Sequence, residues 1–293
     1  MFFNILADAT DENAELAAQA VNNAIDAAFN ASENIILSGG QGAATLLRGG
    51  STSAHHSDRE LIEEQLDEDE DDGQSSVAGA FEYGVYKKLH TEFDPSRLFI
   101  WYNARSVSTI PNAVRMNVDV GLKDALHSLK ANSHGVCSEQ DWSYEVAEYN
   151  KKSCYFVPGA KAAKLPPKTV GKLALKHTAN YYSVCHSNQK SLLSDLLKCF
   201  NEKYPFVFLM KTYNLRNKLE GPDFKLKLPT REDKANGEHT HSLMAVGCNK
   251  EEKVFIVRNS WGSDWGDQGH FKMPFTYLPH CYEFWTMRIV ASS

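Results

Sequence analysis

The chain has 293 residues, of which 42% are apolar and 23% charged, and it carries a net charge of −6. That length suits one large domain or two moderate ones, with an ordinary globular composition. No apolar run approaches the ~20 residues that a bilayer-spanning helix needs. The first residues, Met1 to Asp8, have no basic stretch ahead of a short apolar run, so no signal peptide and no membrane partner are expected.

The charge is unevenly spread. Residues 1–73 hold sixteen Asp/Glu against two Lys/Arg, a net of −14, while the rest hold twenty-one against twenty-nine, a net of +8. All six cysteines lie in the second part. Such a break predicts two segments: an acidic, Ala-rich leader over 1–73, poorly ordered, and a domain over 74–293. In the leader, residues 12–29 read as a weakly amphipathic helix, 38–54 as a Gly/Ser/Ala linker, and Asp67 to Asp72 as a solvated acidic run.

From Gln74 the texture changes. Ser75 to Leu89 reads as a buried helix with small residues on one face. Pro95 to Asn103 is β-branched and aromatic, which predicts a strand or extended segment. Leu122 to Leu129 predicts a short amphipathic helix. Ser191 to Tyr204 predicts another, closed by Pro205 ahead of a strand from Phe206 to Met210. After residue 240 the pattern is strands, turns and aromatics. Helices first and strands later imply an α+β chain, with a helical half over about 74–175 and a β half over about 176–293.

The densest signal is Val257-Arg258-Asn259-Ser260-Trp261-Gly262-Ser263-Asp264-Trp265-Gly266-Asp267-Gln268-Gly269, preceded by His241-Ser242-Leu243-Met244-Ala245-Val246-Gly247. Together these runs resemble the His and Asn blocks of the papain-like cysteine peptidases. Further matches are Ser76 to Glu82 for the family's central helix, Gly135 to Tyr144 for its bacterial and viral branches, and Cys281 to Trp285 for its last strand. The resemblance spans about residues 74–293. It implies a two-lobed papain-like α+β fold, with a cleft between a helical half and a β-barrel-like half. It implies action on peptide bonds of a peptide or protein substrate, a monomer, and no cofactor.

The chemistry of that family needs a thiolate, an imidazole and a group that orients the imidazole. By resemblance His241 supplies the imidazole, Asn259 fixes its ring and tautomer, and Trp261 covers the bond between them and keeps water away. Gly247 matches the turn after the family's His strand. His239 is the rival imidazole; it is expected on the preceding loop. Gly121, in Gly121-Leu122-Lys123-Asp124, resembles the glycine corner that pairs by backbone with substrate, with Val120 in place of that corner's first glycine.

Two family positions are degenerate. Registering the central helix on Gly79-Ala80-Phe81-Glu82 puts the nucleophile at Asp72 and the oxyanion Gln at Leu66. A carboxylate is a better leaving group than the amine it would have to expel, and Leu66 offers no side-chain N–H. Ser75 and Ser76 lie about one helical turn inward, facing away. A helix N-terminus favours an anion, which Asp72 would supply. The gap has two readings: a non-catalytic, peptidase-like domain that holds peptides or a partner, or an unrelated leader that replaced the family's N-terminal block. The abrupt change near residue 73 favours the second.

Free buried thiols are expected for all six cysteines. Cys154 matches a family disulfide position, but its usual partner near Asn117 to Val120 is missing. No Cys/His spacing suggests a metal site. The +8 is spread without an Arg cluster, so no nucleic-acid partner is expected.

Overall fold

In the computed structural model, residues 72–184, 189–213, 215, 218–235, 237 and 239–291 are described. What the sequence leads one to expect of residues 1–71, including Leu66, therefore lies outside the described residues, as does Cys185. The first element is helix α1, Asp72–Leu89. Its residues Val77, Ala78, Ala80, Phe81 and Val85 are all buried. Small side chains on this helix let other elements approach it from several sides. Helix α2 (Arg97–Val107) and helix α3 (Leu122–Ser128) flank it. Ile100 and Ala104 of α2 and Leu122, Ala125 and Leu126 of α3 share one apolar cluster with α1. Val207, Met244 and Met287, from the β part of the chain, close the same cluster. The central helix is thus packed between the other helices and the sheet.

The expectation of a strand over Pro95 to Asn103 is wrong. Those residues lead into and form α2. Ser96 caps it, its Oγ accepting from the Phe99 N–H at 3.0 Å. Residues 98–105 are buried throughout, so the run has no polar face to reveal a helical period. A helix buried all round and a buried strand look alike in a short apolar run, and the Pro95-Ser96 cap is the signal that separates them.

Helix α4 (Lys168–Ala174) packs Val170 and Ala174 against Phe99 and Cys137. Beyond it, and among the described residues, strands β1 (Thr178–Ser183), β2 (Phe206–Thr212), β3 (Leu219–Glu220), β4 (Lys225–Leu226), β5 (His239–Asn249), β6 (Val254–Arg258), β7 (His270–Pro274) and β8 (Cys281–Ala291) form an eight-stranded sheet. Its order is β1-β8-β2-β5-β6-β7-β4-β3. The ladders are antiparallel except for β4 with β7. Helix α5 (Gln189–Asn201) precedes β2, and the short α6 (Arg231–Ala235) precedes β5. Leu192, Leu193, Leu196 and Phe200 of α5 share a core with Phe206, Phe208, Phe255, Phe271, Phe275 and Phe284. Each such aromatic ring removes a large apolar area from water, so this cluster anchors the β part.

Gly247 does not end its strand in a turn, as expected. It lies inside β5, which runs on to Asn249, at the point where the register with β6 slips. A glycine at a bulge re-aims the strand rather than closing it. His239 likewise sits in β5 rather than on the preceding loop, at the strand's first residue and exposed.

Candidate active site

Strands β5 and β6 are adjacent and antiparallel, which brings the start of β5 beside the residue after β6. There His241 Nε2 lies 2.7 Å from Asn259 Oδ1. His241 is 2% exposed and Asn259 7%. The same Oδ1 accepts from the Ser260 backbone N–H at 2.8 Å. That second bond settles which end of the amide faces the ring, because an N–H needs an oxygen opposite it. Oδ1 cannot donate, so the proton is on Nε2, and Nδ1 is the ring nitrogen that the Asn259 bond does not use. Asn259 Nδ2 is buried and finds no hydrogen-bond acceptor among the described residues.

Trp261 lies over the imidazole, its ring centroid 5.2 Å from that of His241 at an interplanar angle of 32°. Trp265 meets Trp261 edge-on at 4.9 Å, and Phe271 meets Trp265 at 5.7 Å. The pair is therefore tied by aromatic contacts to the core of the β part. The loop that carries Asn259 is shaped by its glycines. Gly266 has φ of 59°, and a Cβ there would lie 2.4 Å from the His270 carbonyl oxygen. Gly269, at φ of 82°, accepts the Asn259 N–H at 2.8 Å through its carbonyl. Only glycine fits such a backbone path cheaply.

Helix α1 starts at Asp72, the position the family register gives to the nucleophile. Its side chain, like that of Leu66, lies outside the described residues. Ser76, one turn further on, is buried, and its Oγ lies 2.7 Å from Ser242 Oγ, next in the chain to His241. The second turn of α1 and the His241 strand are thus in direct contact, a relation that only the three-dimensional structure reveals. Gly121 stands exposed as the N-cap of α3, its carbonyl accepting from Asp124 N–H at 2.8 Å.

Sequence reading also missed Glu82 and Arg258. Arg258 directly precedes Asn259, and its Nη1 lies 3.7 Å from Glu82 Oε2 of α1. Burial pushes the Glu82 carboxyl up to about 7, against the pull of Arg258, and Asp94 and Glu92 add to the rise.

The described cysteines are free: Cys137, Cys199 and Cys281 buried, Cys154 and Cys248 half-buried. Burial pushes Cys137 up to about 12 and raises Cys199, Cys248 and Cys281 as well. A thiol activated for attack is shifted the other way, by a positive neighbour or a helix N-terminus.

A profile of the papain family cysteine proteases matches residues 114–282, a stretch that holds Gly121, His241, Asn259 and Trp261. An uncharacterised peptidase C1-like protein of Acanthamoeba polyphaga mimivirus is 24% identical over 224 residues, which is 74% of this chain and 66% of that protein. This chain thus spans less than two thirds of that relative. Cysteine proteinase 2 of Zea mays is 51% identical over 35 residues, 11% of this chain and 10% of its own. Among solved structures, xylellain, a cysteine protease from Xylella fastidiosa, superposes with a TM-score of 0.63 at 28% identity, covering 76% of this chain and 82% of that one. The clostridial cysteine protease Cwp84 shares the fold, with a TM-score of 0.54 at 12% identity over 76% of this chain and 54% of that one. With a profile match over more than half its length, and a helix-and-sheet architecture shared with these structures, this chain belongs to the papain family of cysteine proteases.

Proposed function

We propose that this papain-family domain binds polypeptide in its cleft through an assembled His241–Asn259 pair, and that the chain as it stands does not cut what it binds. The observation that carries the first half is the 2.7 Å bond from His241 Nε2 to Asn259 Oδ1, buried and covered by Trp261. It orients an imidazole whose Nδ1 is set to hand a proton to, or take one from, a neighbour. The second half rests on the start of α1. In the family's register Asp72 stands where a thiol is needed and Leu66 where an amide donor is needed. The raised thiols of Cys137, Cys199, Cys248 and Cys281 argue against a substitute nucleophile. A carboxylate at the N-terminus of α1 would sit in a favourable field and pair with an imidazolium, an inert arrangement. Gly121 serves as the backbone contact for the bound chain, at the exposed start of α3.

The test uses a fluorescent peptide of mixed sequence and the 293-residue chain. Saturable binding by anisotropy, weakened in a Gly121→Trp variant, with the peptide recovered intact by mass spectrometry, is the expected result. An epoxide probe for activated thiolates should leave the chain unlabelled. Epoxide labelling, or peptide recovered in pieces, contradicts the reading.

A further inference from the structure

Two side chains of α1 grip the two residues that stand next to the His–Asn pair. Ser76 Oγ lies 2.7 Å from Ser242 Oγ, and Ser242 follows His241. Glu82 Oε2 lies 3.7 Å from Arg258 Nη1, and Arg258 precedes Asn259. Gly79 sits between the two grips. A Cβ there would lie 3.2 Å from Met244 Cε and 3.3 Å from Arg258 Nη1, closer than ordinary contact, so the glycine sets how near α1 comes to β5 and β6.

We infer that α1 fixes the position of the pair: Ser76 with Ser242, and Glu82 with Arg258, are positioning contacts that hold His241 and Asn259 at a set distance from the helix N-terminus. This rests on reading His241 and Asn259 as the acid–base pair. The physical case is directional. Apolar neighbours such as Met244 and Val77 bury surface but tolerate small slips, whereas a hydrogen bond between hydroxyls buried at 7% and 4% exposure holds only over a narrow range of separation. Adjacent residues of a chain cannot move independently, so fixing Ser242 and Arg258 fixes their neighbours to a fraction of an ångström. Misplacement of about 1 Å can cost a site on the order of a hundredfold in rate.

The two contacts differ in their response to acid. The Ser76–Ser242 bond does not titrate. Glu82 faces Arg258 of β6, with Asp94 and Glu92 from the segment after α1. Arg258 also acts on His270 of β7, and Asp94 is pulled by Arg97 of α2. Burial keeps Glu82 protonated up to about pH 7, so its ion pair with Arg258 is complete only above that point. Above that point a charged carboxylate sits where burial disfavours it, so opening of the Asn259 end of the clamp, which returns Glu82 to water, becomes easier as pH rises through 7, while the His241 end does not respond.

The experiment is NMR on the full chain with 15N-labelled histidine, following solvent exchange of the His241 Nε2 proton. Wild type shows a persistent Nε2–H signal. Ser76→Ala and Ser242→Ala each speed its exchange about tenfold, because each breaks the bond between α1 and β5 and lets β5 shift. The double variant recovers thermal stability, since both hydroxyls are gone together, but keeps the faster exchange; a purely structural bond does not behave so. Corrected for intrinsic base catalysis, exchange in wild type quickens as pH rises through 7, and Glu82→Gln flattens that dependence. Thr286→Val, which removes the buried Thr286 Oγ–H bond to the Pro205 carbonyl, lowers stability and leaves His241 exchange unchanged. Wild-type exchange in both serine single variants and in the double variant overturns the proposal. Absence of any persistent Nε2–H in wild type instead overturns the acid–base reading beneath it.

Discussion

His241 and Asn259 are eighteen residues apart in the chain, and their side chains meet at 2.7 Å through Nε2 and Oδ1. Because Oδ1 also takes the Ser260 N–H at 2.8 Å, one amide oxygen satisfies a ring and a backbone donor at once. Asn259→Ala takes this acceptor from both donors, and the His241 ring is buried. The expected loss is about 1–3 kcal/mol, or roughly 3–10 °C in Tm for a chain of this size. Thermal unfolding followed by circular dichroism reads it directly. An unchanged Tm would mean that the bond adds nothing in solution.

Glu82 gives a pH signature with a definite sign. Its folded-state value of about 7 lies above the ordinary 4.5, so the folded chain holds that proton more tightly than the unfolded one. The resulting stability is fully present below about pH 4.5 and is lost as pH rises through about 7. At pH 8 the loss amounts to at most about 3 kcal/mol. Asp94, Asp124 and Glu139 are shifted the same way by burial, so the difference between wild type and Glu82→Gln is the quantity to follow, not wild type alone. Urea unfolding at pH 5 and pH 8 should show the variant similar to wild type at the lower pH and more stable at the higher one. A constant difference across that range contradicts the assignment.

Arg105 stabilises the helical half with no carboxylate partner among the described residues. It is 2% exposed and donates to the carbonyls of Trp101 at 3.3 Å, Met116 at 2.9 Å and Ala162 at 2.6 Å. Its guanidinium carbon lies 3.8 Å from the Trp101 ring centroid. A planar fork can serve all three acceptors; a lysine ammonium cannot. Arg105→Lys should therefore cost about 2 kcal/mol and Arg105→Ala about 3 kcal/mol or more, read as a fall in the urea midpoint. A lysine variant equal to wild type refutes the geometric argument.

Gly266→Ala should damage the loop that presents Asn259. A Cβ would meet the His270 carbonyl at 2.4 Å on a backbone already at φ of 59°. The expected cost is on the order of 1–3 kcal/mol, with a loss of Trp261 near-UV signal out of proportion to the rest of the fold. Gly221→Ala, at a comparable φ of 62° but with open space around it, is the milder comparison.

What the sequence made legible follows the range of each signal. The His241 and Asn259 positions could be found because Trp261, Trp265, Gly266 and Gly269 stand at spacings that the loop's backbone enforces. Helix α1 could be found from its small and apolar residues. The extent of α2 could not, because its residues 98–105 are buried on every side and give no period. The Ser76–Ser242 and Glu82–Arg258 contacts join residues more than 160 positions apart, and a lone serine or glutamate in a helix carries no mark of its partner. The order of the sheet, with β8 between β1 and β2, is equally invisible to local pattern.

The most direct measurement is turnover of a fluorogenic peptide under reducing conditions. The natural chain is compared with a chain in which residues 60–73 are replaced by a family-like segment bearing Gln and Gly-Ser-Cys, each with and without His241→Ala. Removing the nucleophile of a related kind of site costs on the order of a millionfold, so the natural chain should show no turnover above buffer. The replaced chain should cut, and lose that activity with His241→Ala. Robust turnover by the natural chain, abolished by His241→Ala, would show that another nucleophile serves the pair and that Asp72 is not its position.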